Sequence, residues 1–475
     1  MSPDVLIVGA GSAGLFAALG LAGKARVTLV EAGADAGTPP PGWMLYDYLL
    51  PQACYYHYTD AGTGMDLPQG RGTGGGSTVN SAAALRGQPW DFDGWNVPGW
   101  SWEEVLPGFR AIEADRQFGD APFHGTTGPI PVTRLHPGPL DDAFTSLALK
   151  RNHPAVEDHN APGALGIGAW PTNRATSGPV SGGRWGTHAA VLPLIRDQVD
   201  LRTDTTVERL VFDGTRCVGA DVAGPGGAER ILAGHVVLCA GAFGTPLLLI
   251  RSGVGPDGNV VRLPGVGENL QDHPWCLLDV DVTDVRDIEA RPVSGSLLRY
   301  ELSDGVHNEV EIFPWQTLPY VPSAPAARVS FTAALMTPLS RGRLSLAPDG
   351  PVVESRHLSR ERDAATMASV VTETAAYLDE LAAAGLIRLP ARPWWREEDL
   401  VAACRRNIGT YNHHSGTCRL GLSGAEGTVV APRLNVLGTE NLLVADSSVL
   451  PVIPRANTNL TSMMIGRRAA EFLAA

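Results

Sequence analysis

A chain of 475 residues exceeds what one ordinary hydrophobic core supports, so two or three domains are expected. Its net charge of −13 argues against a nucleic-acid partner, because holding a phosphate backbone requires basic surface. No run of about 18 apolar residues is present to span a membrane, and no basic segment followed by a cleavable apolar one opens the chain, so the cytoplasm is the expected compartment. The six cysteines form no CxxC pair and no zinc spacing, so they are read as buried free thiols and no metal site is expected.

The N-terminal stretch "DVLIVGAGSAGLFAALGLAGKARVTLVEAG" is the most legible. Val5 to Val8 is a short apolar run fit for a buried parallel strand. Gly9, Gly11 and Gly14 then spell GxGxxG, residues 12–22 read as a helix, and "RVTLVEAG" reads as a second strand ending in Glu31. A strand before the glycines, a helix after them and an acid 20 residues past Gly11 make this a dinucleotide-binding turn. Gly9 permits the turn, Gly11 admits a pyrophosphate to the backbone, Gly14 packs helix on strand, and Glu31 is placed to accept from a ribose. This half-site alone does not choose between NAD and FAD.

A second glycine cluster, "GRGTGGGSTVNSAAALRGQPWDFDGW", covers Gly70 to Trp95. Such a run is costly in a regular element and suits backbone laid against a planar or anionic ligand. From Val199 to Ala242, alternating residues and turn signals predict a strand, a hairpin-like excursion and a buried strand at "HVVLCAG". Trp275, Tyr300, Phe313, Trp315 and Tyr320 punctuate the next strands, as sheet core or as the lining of an apolar pocket. From Ala327, two or three strands of an antiparallel sheet are expected, then one long amphipathic helix with Ser359 at its start and Gly385 at its stop. Near the end, "YNHHSGTCRLG" carries His413 and His414 side by side. Adjacent residues on a strand point apart, so the two are expected to do different things.

Four motifs in order make the chain resemble the glucose–methanol–choline (GMC) family of FAD oxidoreductases. They are Gly70, Arg71, Gly74, Gly75, Gly76, Ser77 and Asn80 with "RGQPWDFDGW"; "GAFGTPLLLIRSGVG" from Gly241; "LPGVGENLQDHP" from Leu263; and the closing "LNVLGTENLLVADSSVLPVIPRANTNLTSMMIGRRAAEFL". Thr73 departs from the aliphatic residue usual there. The likeness is dense over 1–115, 180–275 and 405–475 and thin over 276–400.

The resemblance implies a mixed α/β (α+β) fold. Its Rossmann-like FAD domain would be discontinuous, from 1–130, 180–275 and 425–475. A substrate domain from 131–179 and 276–424 would be built on an antiparallel sheet with flanking helices. It implies FAD held by Gly9, Gly11, Ser12, Ala13, Gly14, Glu31, Ala32, Arg71, Gly74, Gly75, Asn80, Ala83, Val207, Ala240, Gly241, Asp446, Ser447 and Asn457. Binding would be non-covalent, because Val79 stands where some members carry the attaching histidine. It also implies oxidation of a small-molecule alcohol to an aldehyde or ketone, with hydride passing to the flavin. His413, three residues before Gly416, would be the base, a role suited to imidazole near neutrality. Asn459 would help position the substrate oxygen, and His414 would be structural. Electrons would then pass to oxygen, a quinone or another carrier. A lyase that keeps FAD as a structural element and a redox-inert FAD-binding protein are the alternatives.

Overall fold

The computed structural model describes residues 2–46, 51–134, 138–175, 182–284, 295–302, 308–315 and 327–474. Its first layer is a five-stranded parallel sheet. The strands are β1 (Val5–Val8), β2 (Val27–Val30), β3 (Asp200–Arg202), β4 (His235–Leu238) and β5 (Leu442–Val444). They lie in the order β3-β2-β1-β4-β5. A parallel sheet needs cover on both faces, which is why β1, β2 and β5 are buried along their whole length and, Thr28 apart, apolar. The expected helix runs Ser12–Leu21 and packs against the last helix, Thr458–Ala474. The contact is close: a Cβ on Gly466 would lie 2.0 Å from the Ala13 carbonyl oxygen.

Strand order reverses on either side of β1, and the crevice beyond the carboxyl ends of such strands is where α/β sheets take ligands. Gly9 and Glu31 directly follow β1 and β2, and Ala240 and Asp446 come two residues after β4 and β5, so the sheet delivers these expected site residues to one edge. The expected excursion between β3 and β4 is a three-stranded antiparallel sheet of Thr206–Asp213, Arg216–Gly224 and Gly227–Leu232.

The second layer is a larger, mainly antiparallel sheet. Its central strands, in spatial order, are Pro274–Val282, Ala327–Leu335, Asn308–Trp315 and Ser296–Leu302. Strand alternation divides its two faces. Cys276, Leu278, Val310 and Ile312 pack with helix residues Met367, Val370, Val371 and Leu378, whereas Trp275, Phe313 and Trp315 turn to the other side and line the cleft facing the parallel sheet. Tyr300 lies on the helix side, packed against that core, with its hydroxyl donating to Glu373 at 2.5 Å. Tyr320 lies outside the described residues.

Two expectations need correction. Only Ala327–Leu335 joins the large sheet; Arg343–Ala347 instead folds back on Gly350–Glu354 as a separate hairpin, turning at Gly350 with φ +129°. The long helix runs Glu361–Ala383 with Arg360 at its N-cap, so Ser359 does not cap it. The Ser340 hydroxyl oxygen instead accepts from the Arg360 backbone N–H. Gly385 ends the helix in the left-handed region, at φ +76°.

A buried ionic cluster stitches residues 86–160 together. His124 Nδ1 lies 2.8 Å from Glu113 Oε1 and Nε2 lies 2.8 Å from Asp158 Oδ2. Arg134 bridges Asp115 and Asp158 at 2.5 Å each, and Arg86 reaches Glu113 at 3.3 Å. Three carboxylates thus face two guanidinium groups and an imidazole. Burial alone would lower the His124 pKa, but its hydrogen bonds to Asp158 and Glu113 outweigh that and raise it. A raised histidine stabilises the fold fully below its unfolded pKa, about 6.5, and loses that contribution as pH rises through the folded value. The melting temperature of His124→Gln should therefore fall furthest below wild type near pH 6. The gap should narrow as pH climbs, in parallel thermal melts across pH 6–9.

Candidate active site

The dinucleotide turn is built by close backbone approach. A Cβ on Gly9 (φ +101°) would sit 2.5 Å from the Cys239 carbonyl oxygen, and one on Gly14 would sit 1.9 Å from the Gly9 oxygen. Gly11 differs, since the nearest atom to a Cβ there is 3.9 Å away, in Gly75. The helix beginning at Ser12 has no acidic residue in its first turn, so its positive N-terminus is free to meet an anion.

Glu31 organises this region through backbone donors. Its Oε2 accepts from Ala10 N (2.9 Å), and its Oε1 accepts from Gly33 N (2.8 Å) and Gly72 N (3.1 Å). One carboxylate therefore joins the first turn, its own loop and the second glycine cluster. Asp446 does the same at the other strand end, accepting from Gly241 N, Ser448 N and the Thr245 hydroxyl at 2.9, 2.8 and 2.6 Å.

A cavity of about 630 Å³ runs from these loops to the aromatic face of the large sheet. Gly9, Gly11, Ser12, Ala13, Glu31, Ala32, Gly75, Asn80, Ala83, Val207, Ala240, Gly241, Asp446, Ser447, Asn457, Asn459 and His413 all line it. Three expected contacts do not. Gly14 is consumed by packing under the turn. Arg71 braces the Ala32 carbonyl at 3.2 Å. Gly74 donates its N–H to Ala10 O at 2.7 Å and abuts Thr78 and His188, so it shapes the loop from behind. The donor set suits a dinucleotide: uncrowded, half-buried backbone at Gly11, an open helix N-terminus, and an unpartnered buried amide nitrogen, Asn459 Nδ2, facing the same space.

At the far end stand the histidines. Residues 270–276 and 408–416 run antiparallel, with Trp275 opposite Gly409 and Gln271 opposite Ser415. Between these pairings the strands part, and one carboxylate holds the gap. Asp272 Oδ1 accepts from the backbone N–H of His273 (2.9 Å) and of His413 (2.8 Å), while Oδ2 accepts from the Thr410 hydroxyl (2.5 Å). His357 Nε2 and His414 Nε2 lie 3.3 and 3.8 Å from Oδ2. Burial raises the Asp272 pKa on its own, but the charges and hydrogen bonds of His414, His357 and Thr410 win and hold it below the usual range.

The two adjacent histidines diverge. The His414 ring packs on Phe243 at 4.6 Å, and its Nδ1 accepts from Gln69 at 3.0 Å. His413 stacks on Tyr411 at 4.3 Å, sets Nδ1 2.8 Å from His273 Nδ1, and meets Asn457 Nδ2 with Nε2 at 3.1 Å. Burial pushes His413 well below its ordinary pKa and His273 to about 4. Asn459 is not beside His413: its Oδ1 accepts from the Ser12 hydroxyl at 2.7 Å, at the dinucleotide turn. The two asparagines exchange the places expected of them. Asn457 stands before the helix Thr458–Ala474 and Asn459 in its first turn, so their side chains leave in different directions. Sequence reasoning also missed Asp272 and His273, which carry no spacing signal toward residues some 140 positions away.

Residues 3–275 and 338–466 match the N- and C-terminal parts of the GMC oxidoreductases. A GMC-type oxidoreductase of Rhodococcus erythropolis is 33% identical, covering 99% of this chain and 98% of its own. The 5-(hydroxymethyl)furfural oxidase of Methylovorus sp. is 29% identical over 98% of each. The crystal structure of pyridoxine 4-oxidase from Mesorbium loti superposes with a TM-score of 0.86, at 27% identity and 98% coverage of both chains. The chain belongs to the GMC oxidoreductases, flavoprotein enzymes that act on CH–OH groups.

The three bonds to Glu31 generate a prediction. Glu31→Ala orphans three buried N–H groups, each costing about 1–3 kcal/mol. The variant should lose FAD at least about tenfold more readily, and Glu31→Gln, with a single acceptor oxygen left, should fall between it and wild type. Release of fluorescent flavin on dilution measures this, and equal retention in all three proteins would remove Glu31 from the site.

Proposed function

We propose that this protein oxidises an alcohol to an aldehyde or ketone, with His413 as the general base, Asn457 as its partner on the substrate oxygen, and FAD held without a covalent bond. The observation that carries the reading is the environment of His413 Nε2. It points into the cavity that begins at the dinucleotide turn, 3.1 Å from an amide donor.

The hydrogen bonds support one protonation pattern. Asn457 Nδ2 donates to His413 Nε2, which requires a lone pair there and puts the His413 proton on Nδ1. That proton is donated to His273 Nδ1, which leaves the His273 proton on Nε2. Both rings are neutral near pH 7, as their lowered pKa values require. A hydroxyl entering between His413 and Asn457 can donate to Nε2 and accept from the Asn457 amide, the arrangement that removal of the alcohol proton needs. Asp272 opposes the effect of burial on His413 and so offsets the positive charge gained with the proton. When bound, FAD supplies the hydride acceptor that no protein side chain offers.

Asn459 belongs in this reading to cofactor binding, through Ser12 and its free amide nitrogen. Val79 lines the cavity and carries no nucleophile.

Losing a general base costs about 100- to 10,000-fold. His413→Ala should slow anaerobic flavin reduction by that order with flavin still bound. Asn457→Ala should slow it by about 100-fold, as expected for one donor to a developing oxyanion. Asn459→Ala should act first on flavin retention. Stopped-flow bleaching under saturating alcohol measures all three, and a larger loss of reduction rate in Asn459→Ala than in Asn457→Ala would reverse the assignment.

The same experiment has a pH arm. His413 is depressed, so reduction should hold its rate down to below about pH 6.5 and fall only as the imidazole takes a proton. Asp272→Asn removes the influence that raises His413, so its acid limb should move to lower pH while the plateau rate drops. A limb moving to higher pH would contradict the electrostatic role.

Acid precipitation should leave the yellow colour in the supernatant; colour in the pellet would mean a covalent flavin.

A further inference from the structure

Five aromatic side chains cluster in the cavity lining beside His413. They are Trp275, Trp315, Phe313, Trp170 and Tyr411, drawn from two strands of the large sheet that flank Ala327–Leu335, the segment after Gly166–Ala169, and the histidine loop. The rings touch one another in sequence. Trp275 lies 5.0 Å from Trp315 and 4.8 Å from Tyr411, Phe313 lies 6.0 Å from Tyr411, and Trp170 meets Phe313 edge-on at 4.5 Å. Tyr411 stacks on His413, with planes 22° apart, so the aromatic wall runs into the base itself. The wall is fixed in place: any side chain at Gly409 would come within 2.4 Å of the Trp275 indole nitrogen.

From this we infer, resting on the alcohol-oxidase or dehydrogenase reading above, that the substrate is a neutral aromatic primary alcohol, its ring held by Trp275, Trp315, Phe313 and Tyr411 and its hydroxymethyl group directed to His413 and Asn457.

Two other classes fit less well. A polyol would bring several hydroxyl groups against a surface that leaves most of them unpaired, and each unpaired buried hydroxyl is costly. A quaternary ammonium is attracted by aromatic faces, but a desolvated cation also needs a counter-charge. Among the described residues, the acids lining the cavity are Glu31 and Asp446. Both sit at parallel-strand ends with backbone N–H groups on their oxygens. Glu311 lies behind Tyr411, fully buried, 3.6 Å from Arg299 and 3.4 Å from the Tyr411 hydroxyl. Burial raises it to about 8, so it offers no free negative charge to the cavity at neutral pH. Aromatic rings do reward a planar π-system over a saturated ring of equal size, since offset and edge-to-face contacts add to area burial.

The test uses the FAD-loaded protein. Anaerobic flavin reduction is compared for benzyl alcohol, cyclohexylmethanol, choline and glycerol. Binding is measured separately by tryptophan fluorescence with the unreactive neutral pair benzamide and cyclohexanecarboxamide, and with tetramethylammonium. We expect kcat/KM for benzyl alcohol at least about tenfold above the other three, and benzamide quenching that saturates at least about tenfold below its saturated analogue. Trp315→Ala, at a strand end, should raise the KM for benzyl alcohol more than it lowers kcat. Faster reduction by choline or glycerol, or equal binding of the two amides, would overturn the aromatic assignment and leave alcohol oxidation standing. Tight benzamide binding with no reduction by any alcohol would instead remove the reaction on which the assignment rests.

Discussion

The buried carboxylate of Asp272 is the point on which the geometry of the histidine end of this cleft hangs. It stands where two antiparallel segments, 270–276 and 408–416, lose their mutual pairing, and its Oδ1 takes the two backbone N–H groups, of His273 and His413, that the gap would otherwise orphan. Burying an ion costs several kcal/mol unless its lone pairs are met. Here they are met by two amides and the Thr410 hydroxyl, with His357 and His414 adding positive potential from the far side. The backbone is thereby fixed so that the His413 ring meets His273 at one nitrogen and the cavity at the other, while His414 is turned toward Gln69 and Phe243. The question raised by two adjacent histidines is settled by one acceptor oxygen that neither side chain supplies.

What the sequence made legible follows from the range of the forces involved. The parallel sheet, its first turn and its first helix were readable because they obey local rules: a fully apolar run for a two-sided strand, glycine where backbone meets backbone, an acid at the next strand end. The resemblance carried the reading from one half-site to a GMC oxidoreductase of mixed α/β fold. The aromatics of the second sheet were half legible. Period-two spacing puts Phe313 and Trp315 on one face, but only assembly shows that this face meets the cleft while Tyr300 is committed to Glu373.

The asparagines mark where sequence reasoning fails. Asn457 and Asn459 are chemically identical and two residues apart, and their separation rests on where a helix begins. Asn459 lies in the first turn and faces Ser12 across the helix pair whose closeness Gly466 permits, whereas Asn457 is still in the approach and reaches His413. Arg71 and Gly74 do not line the cavity, for a related reason. A residue in a ligand-binding motif either touches the ligand or shapes the loop that does, and both roles leave the same sequence pattern. Asp272 and His273 sit inside the motif "LPGVGENLQDHP", but nothing in it points to their partners, which arrive only when the large sheet closes.

The two walls of the cleft also act on each other. One is backbone and amide, supplied by loops at the ends of parallel strands; the other is a sheet face of indole, phenyl and phenol rings. An aromatic wall excludes water, and exclusion of water is what drives His413 below its ordinary proton affinity, with Tyr411 stacked on its ring. A drier pocket therefore makes a weaker base. The Asp272 carboxylate, which accepts from the His413 backbone N–H, opposes that loss without lining the cavity, where it would itself be solvated by substrate or demand a cation. In the proposed reaction, placing the anion behind the loop and the rings in front lets the site be apolar toward its ligand and still electrostatically prepared for a proton. Enlarging the cavity by removing a ring would admit water, raise the proton affinity of His413, and weaken the hold on the ligand in the same step.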